Sequence, residues 1–256
     1  MKFCALSSGS SGNCYFVGDE NRGVLIDAGI SARAIERALT EKGIKPTVIK
    51  GIFVTHEHHD HIKGIATLAK RYQIPVFATA GTWQALEKDV PSALRQIILN
   101  HGQILMDDLT ISWQSTSHDV ADGVFYTVSD AANRVGIMTD TGIVPQAAME
   151  LLYDCSILVL EANHDIEMLK RGPYPKFLQN RILSEKGHLS NECCGENLVK
   201  LIGTHTRHVV LAHLSETNNR PEIAYQTIKN ILLSNCRSGR LKLWVAGRTC
   251  GEVLEV

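Results

Sequence analysis

Gly51-Ile52-Phe53-Val54-Thr55-His56-Glu57-His58-His59-Asp60-His61 places four histidines and an aspartate within six residues, directly after a short apolar run. An apolar run of this length that ends in polar residues reads as a buried strand, here residues 48–54. Residues i and i+2 at a strand end project to the same side, so His56 and His58 are placed to grip one ion together. Asp60 and His61 follow where the chain turns into a helix, expected over residues 62–72, and can reach a second ion. Neutral imidazoles and a carboxylate form the donor set that zinc, iron and manganese accept. A histidine-rich surface tract is the alternative reading, and three other strand ends weigh against it. Residues 111–115 run into His118, residues 135–138 run into Asp140, and residues 209–212 run into His213. A polar side chain just past a buried apolar strand is where a rigid scaffold presents a ligand.

Outward from this stretch, short strand patterns alternate with amphipathic helical ones. Residues 3–6, 14–17 and 24–26 read as an opening meander. A helix over residues 30–42 is expected to start at Ser31 and to stop at Gly43. Residues 76–78 read as a strand, followed by a helix over 83–88. Strands are expected over 97–99, 103–105, 109–115, 124–129 and 134–139. After a helix over 147–153, residues 157–161 and 209–212 read as buried strands, with a mostly helical segment over 164–201 between them. Pro221 opens a helix at its first position, and residues 241–245 and 253–256 close the chain as strands. Meanders broken by helices, repeated once, suggest an α/β (α+β) protein with two mixed sheets face to face and helices outside. That is a four-layer αββα sandwich, taken as a single domain over residues 1–256.

Composition narrows the function. Of 256 residues, 44% are hydrophobic and 21% charged, which excludes a disordered or coiled-coil chain. A net charge of −1 excludes a globally basic nucleic-acid coat protein but not a local basic groove. Seven scattered cysteines do not read as a secreted disulfide scaffold, and Cys193 and Cys194 read as small helix residues. The first apolar run ends at Ser7, too short for a signal-peptide core. No stretch is long enough to span a bilayer. The expectation is a cytoplasmic protein with reduced thiols and no membrane partner.

His-x-His-x-Asp-His over residues 56–61, followed in order by His118, Asp140 and His213, resembles the metallo-β-lactamase superfamily across nearly the whole chain. Val24-Leu25-Ile26-Asp27-Ala28-Gly29 is similar to the first motif of that superfamily, whose aspartate buttresses the histidine loop. The resemblance implies the αββα fold and a binuclear site of zinc or manganese, with iron a further option. His56, His58 and His118 would bind the first ion, and Asp60, His61 and His213 the second. Asp140 would bridge them together with a hydroxide. The implied reaction is metal-assisted hydrolysis, with Asp60 also orienting or deprotonating the attacking water.

Two later segments separate the substrates. Leu160-Glu161-Ala162-Asn163-His164-Asp165 and Gly187-His188-Leu189-Ser190 resemble paired motifs of tRNase-Z-like nucleases, although Leu160 stands where that motif has a histidine. The resemblance implies that Glu161 orients His188 as general acid toward the leaving oxygen. The alternatives are a salt-bridged strand-end carboxylate, a histidine that merely precedes the helix cap Ser190, and a capping role for His164 and Asp165. Lys170, Arg171, Lys176, Arg181 and Lys186, interleaved with Tyr174 and Phe177, form either a groove for phosphates and bases or a plain solvated face. The run of residues 7–13 is either an anion-binding nest or a hairpin turn. Ser215 and Asn218 either bind a phosphate or shape a turn. Glu57 and His59 are expected to face away from the ions, and His101, His205 and His208 carry no motif.

Together the opening turn, residues 163–191 and the segment after His213 resemble the YycJ/WalJ-type family of cytoplasmic bacterial metallo-β-lactamase-fold proteins, which is linked to 5′→3′ exonuclease activity on DNA. The interval between Asp140 and His213 leaves no room for the inserted β-CASP domain of RNA-processing relatives. The implied function is a phosphodiesterase acting on nucleic acid, at DNA ends or single strands. The alternative is a small-molecule metallohydrolase, either a thioesterase or a cyclic phosphodiesterase.

Overall fold

A computed structural model describes residues 1–86, 89–237 and 241–256. The chain divides into two compact units, one of Met1–Ser115, Val120–Asn133 and Gly247–Val256, the other of Thr116–Asp119 and Arg134–Ala246.

In the first unit the expected meander is β1 (Lys2–Ser7), β2 (Cys14–Gly18) and β3 (Gly23–Ile26). Helix α1 (Ala32–Glu41) crosses over to β4 (Ile49–Phe53), which is parallel to β3. Ser31 caps α1 by accepting from the Ala34 amide, and Ile35, Ala38 and Leu39 form its buried face. The strands β5 (Val76–Thr79) and β6 (Arg95–Ile98) extend the parallel half, and the last strand, β14 (Leu254–Glu255), pairs antiparallel with β1. The sheet order is β14-β1-β2-β3-β4-β5-β6.

The same unit holds an antiparallel meander of β7 (Gly102–Met106), β8 (Leu109–Ser115) and β9 (Val124–Ser129). It faces the sheet through Tyr126, whose hydroxyl donates to the Val54 carbonyl at 2.8 Å and whose ring meets Phe53 edge-on. A buried tyrosine with its hydroxyl satisfied packs like phenylalanine, so this contact fixes the exit of β4 into the histidine stretch.

The single helix expected over residues 62–72 is two, α2 (His59–Ile62) and α3 (Ile65–Tyr72). The break has a tertiary cause. The Gly64 amide donates to the Ala28 carbonyl at 2.7 Å, and a Cβ on Gly64 would lie 2.4 Å from the Ile30 carbonyl. The helix expected around Trp83 is α4 (Ala80–Ala85); Glu87 and Lys88 lie outside the described residues.

The second unit is built on β10 (Arg134–Met138), β11 (Ile157–Glu161), β12 (His208–Ala212) and β13 (Lys242–Val245), all parallel. Every residue of β11 and β12 is buried, as continuous apolar runs in parallel strands should be. Helix α5 (Gln146–Leu152) connects β10 to β11. The segment expected to be mostly helical is α6 (Ile166–Arg171), α7 (Lys176–Ile182) and α8 (Asn191–Leu201). Pro173 and Pro175 separate the first two, since proline removes an amide donor and clashes within a helix. Helix α9 (Pro221–Ser234) lies on α8, where a Cβ on Gly195 would meet Ile231 at 2.6 Å. Among the described residues no helix is long and apolar enough to cross a membrane.

Candidate metal centre

His56, His58, Asp60 and His61 belong to the first unit; His118, Asp140, Glu161, His188 and His213 belong to the second. Two of these positions, together with Asp27, share one local feature. Asp27, Asp140 and His213 each follow a strand closely and take left-handed φ values of 60°, 54° and 55°. A non-glycine residue held there costs roughly 1–3 kcal/mol, and such strain is tolerated where the surroundings fix it for function.

In the first unit the loop after β4 brings three imidazoles together. The rings of His56 and His58 are 4.6 Å apart and those of His56 and His61 are 4.1 Å apart. His56 and His58 thus lie side by side, while Asp60 and His61 sit in the short turn of α2. Asp27 supports this arrangement from below. Its fully buried carboxylate accepts from the Thr55 amide at 2.8 Å, the Thr55 hydroxyl at 2.8 Å and His61 Nδ1–H at 2.7 Å. Burial pushes the Asp27 carboxyl up, against the opposing pull of His61 and Thr55. Because the Thr55 hydroxyl donates to Asp27, His56 Nδ1–H donates to Thr55 Oγ1, at 2.9 Å. Gly29 keeps the support close, since a Cβ there would lie 1.7 Å from the Asp60 carbonyl oxygen.

Asn13 was not singled out in the sequence. Its amide donates to His61 Nε2 at 3.0 Å, its backbone N–H donates to the Asp60 carbonyl at 2.7 Å, and its Oδ1 accepts from the Gly9 amide. The loop that carries Asn13 forms a turn. The amides of residues 8, 9, 12 and 13 all donate to protein acceptors. Glu57 accepts from the Ala121 amide and His59 is exposed.

In the second unit Glu161 is the hub. Its Oε1 accepts from His188 Nδ1–H and His213 Nδ1–H, both at 2.8 Å, and its Oε2 accepts from the Thr141 and Leu189 amides. Burial alone would push the Glu161 carboxyl up, but the two imidazoles outweigh it and hold the group at about 2. For His188, burial lowers the pKa and the Glu161 carboxylate more than compensates, so the imidazole stays above its ordinary value. Asp140 Oδ1 lies 3.4 Å from His213 Nδ1 and 3.9 Å from His188 Nδ1. Asp140, Glu161, His188 and His213 offer ligand atoms within 4.8 Å of one another. His118 Nδ1–H donates to the Gly187 carbonyl at 3.0 Å.

In each unit the imidazole donors fit a divalent ion on their chemistry. His56, His61, His118 and His213 each donate Nδ1–H to a protein acceptor, which fixes the tautomer whose Nε2 carries the lone pair. Metal-ligating histidines are oriented in this way by partners behind them. The Asn13 amide already donates to that lone pair on His61, and an ion taking His61 would replace this bond.

The remaining candidates have structural roles. Asp165 caps α6 and Ser190 caps α8. Ser215 Oγ accepts from the Asn218 amide within a turn. His205 pairs with Asp154, and Trp244 Nε1–H donates to His208. His164 is buried, and burial pulls its imidazole down to about 4. The unfolded chain binds this proton near pH 6.5 and the folded protein only near pH 4. Stability should therefore fall as pH drops from 6.5 to 4, by up to roughly 3 kcal/mol. Urea unfolding across that range should show a shallower slope for His164→Leu than for the native chain. Equal slopes would mean that His164 does not titrate as its burial requires.

Residues 22–214 match the family model of the beta-lactamase superfamily domain. The chain is 36% identical over 236 residues to exodeoxyribonuclease YycJ of Bacillus anthracis, covering 91% of this chain and 89% of that protein. It is 36% identical over 237 residues to exodeoxyribonuclease WalJ of Streptococcus pneumoniae serotype 2, covering 91% and 88%. Among solved structures it resembles the metallo-beta-lactamase fold protein YhfI of Bacillus subtilis, with a TM-score of 0.74, 14% identity and coverage of 99% and 98%. That likeness shows the fold, the two-sheet α/β sandwich to which the strand and helix pattern pointed.

Proposed function

The chain belongs to the beta-lactamase superfamily and, within it, to the YycJ/WalJ family, and on that premise we propose that it is a metal-dependent phosphodiesterase that degrades DNA from its ends, 5′→3′. The observation that carries this reading is the match over nine-tenths of the chain to two proteins named exodeoxyribonucleases. We assign His56, His58 and His118 to one ion, Asp60, His61 and His213 to a second, and Asp140 to both, with zinc or manganese as the metal. The single-domain reading of residues 1–256 is supported by a family match that runs through both compact units.

When bound, two divalent ions polarise a phosphodiester and make water a nucleophile at neutral pH. The chain's own residues do the rest. Asp60 orients the attacking water and takes its proton. Glu161 keeps His188 protonated and aimed, and His188 gives its proton to the leaving oxygen; the 2.8 Å bond between them and the raised His188 pKa support this role. A cytoplasmic setting suits both a DNA substrate and seven free cysteines.

Substrate would be held along α6 and α7. Phe177 is 75% exposed, and Lys170, Arg171, Lys176, Arg181 and Lys186 in the same stretch of sequence are exposed as well. Arg181 pairs with Asp119, the residue after His118, which ties this face to the ligand loop. Base stacking on an aromatic side chain is worth about 1–3 kcal/mol. Phe177→Ala should therefore weaken binding of a labelled single-stranded oligonucleotide about tenfold, and Phe177→Trp should restore it, as read by fluorescence anisotropy. Unchanged affinity in Phe177→Ala would remove this face from the account.

The reading as a whole is tested by incubating manganese- and zinc-loaded protein with 5′-phosphorylated single- and double-stranded DNA, RNA, a thioester, a cyclic nucleotide and a β-lactam. DNA shortened from its 5′ end is the expected result. Turnover of the thioester or the cyclic nucleotide with DNA untouched would instead make the protein a small-molecule hydrolase.

A further inference from the structure

The seven cysteines are all free, and two of them meet outside the metal centre, within the first unit. Cys4 on β1 and Cys250 in the segment before β14 have their Sγ atoms 3.6 Å apart, across 246 positions of sequence. The segment that carries Cys250 is laid along β1 by hydrogen bonds. The Gly251 amide donates to the Ala5 carbonyl at 2.9 Å, Ser7 Oγ donates to the Arg248 carbonyl at 3.1 Å, and the Ser8 amide donates to the Gly247 carbonyl at 2.9 Å. Cys4 is fully buried, whereas Cys250 is only partly so and is open to a small oxidant.

We propose that Cys4 and Cys250 form a hydroperoxide-sensitive thiol pair that closes to a disulfide and straps the C-terminal segment onto β1. The two thiols do not have equal roles. A hydrogen bond from the Cys4 thiol, with Lys42 adding its charge against the effect of burial, brings Cys250 down to about 7, while Cys4 is pushed up. Cys250, the more accessible of the two, is the nucleophile, and its thiolate is the reactive form.

Its sulfur attacks the near oxygen of a hydroperoxide. An S–O bond forms, the O–O bond breaks, and the departing hydroxide or alkoxide takes up a proton. Cys4, as thiolate, then attacks the Cys250 sulfenic sulfur. The S–S bond forms, the S–O bond breaks, and hydroxide leaves as water with the proton that Cys4 gave up. Two thiols are oxidised by two electrons and one peroxide is reduced. The sulfurs need to close from 3.6 Å to about 2.05 Å. The strap closes on the strand that leads through Ser7 and Ser8 into the turn carrying Asn13, so oxidation would stiffen the support of Asp60 and His61.

The test is brief exposure of the full chain to hydrogen peroxide, alkylation of remaining thiols, and peptide mapping without reductant. The exposed Cys193 and Cys236 serve as reference thiols. The expected result is a linked Cys4–Cys250 peptide that dithiothreitol reverses, with a thermal midpoint raised by roughly 5–10 °C. Cys250→Ser should show neither change, and the native chain carries the test even if a variant at buried Cys4 fails to fold. Separate alkylation of Cys4 and Cys250 after peroxide would overturn the proposal. So would a disulfide to another cysteine, or advance of Cys250 to a sulfinic acid while Cys4 stays a thiol.

Discussion

Asp60→Asn is expected to slow DNA hydrolysis by about 10³-fold or more while leaving the thermal midpoint within about 2 °C of the native value. A positioned proton acceptor is worth typically 10²–10⁴-fold, and the proposed role of Asp60 adds charge that an amide does not carry. The fold should tolerate the change. The Asp60 side chain is a quarter exposed, and the shorter of its bonds from Asn13 runs from the backbone N–H to the Asp60 backbone carbonyl, at 2.7 Å, against 3.4 Å from the side-chain amide to the carboxylate. Steady-state hydrolysis of an end-labelled oligonucleotide, with thermal unfolding of the same preparation, checks both halves. A loss below tenfold would mean that Asp60 neither holds an ion nor handles the proton. A large fall in midpoint would make the activity loss uninformative and would contradict the surface placement of this side chain.

The second large effect is on the support rather than the chemistry. Asp27→Asn places an amide where three donors converge: the Thr55 amide, the Thr55 hydroxyl and His61 Nδ1–H. One side of the asparagine amide still accepts; the other is a donor facing donors in a fully buried site. Losing one partner of such a buried charged network costs about 3–5 kcal/mol, or roughly 6–20 °C of thermal midpoint for a chain near this size. With His61 no longer held, metal affinity should also drop by about 10–100-fold, the usual consequence of removing the group behind a ligand. Denaturant unfolding and metal content after dialysis measure the two effects. Native stability with native metal content in Asp27→Asn would mean that the aspartate is not what fixes the loop.

Much of this arrangement was legible because it is local. A buried strand that stops at a polar residue announces a presented side chain, and Asp140, Glu161 and His213 sit at or just beyond the ends of β10, β11 and β12. The i, i+2 spacing of His56 and His58 carries its own geometry. What escaped is what depends on distant chain segments. Asn13 reaches Asp60 and His61 across 47 and 48 positions, and nothing in the turn around it marks that meeting. The break between α2 and α3 arises because Gly64 is docked against residues 28–30, not because of any helix-stop signal in the stretch itself. Glu161 was read as a partner for His188 alone, yet it also orients His213, since β11 and β12 are parallel neighbours with Glu161 beside Ala212. The division of α6 from α7, by contrast, is local, since Pro173 and Pro175 stand between them in the sequence itself.

DNA hydrolysis through bound metal is the core of the proposed function. It is tested most directly by stripping the protein with a chelator and restoring manganese or zinc in steps while following cleavage of 5′-labelled single-stranded DNA. The account predicts no cleavage in the stripped protein and activity that rises to a plateau at two ions per chain. DNA cleavage at the full rate in protein verified to contain no metal would contradict it.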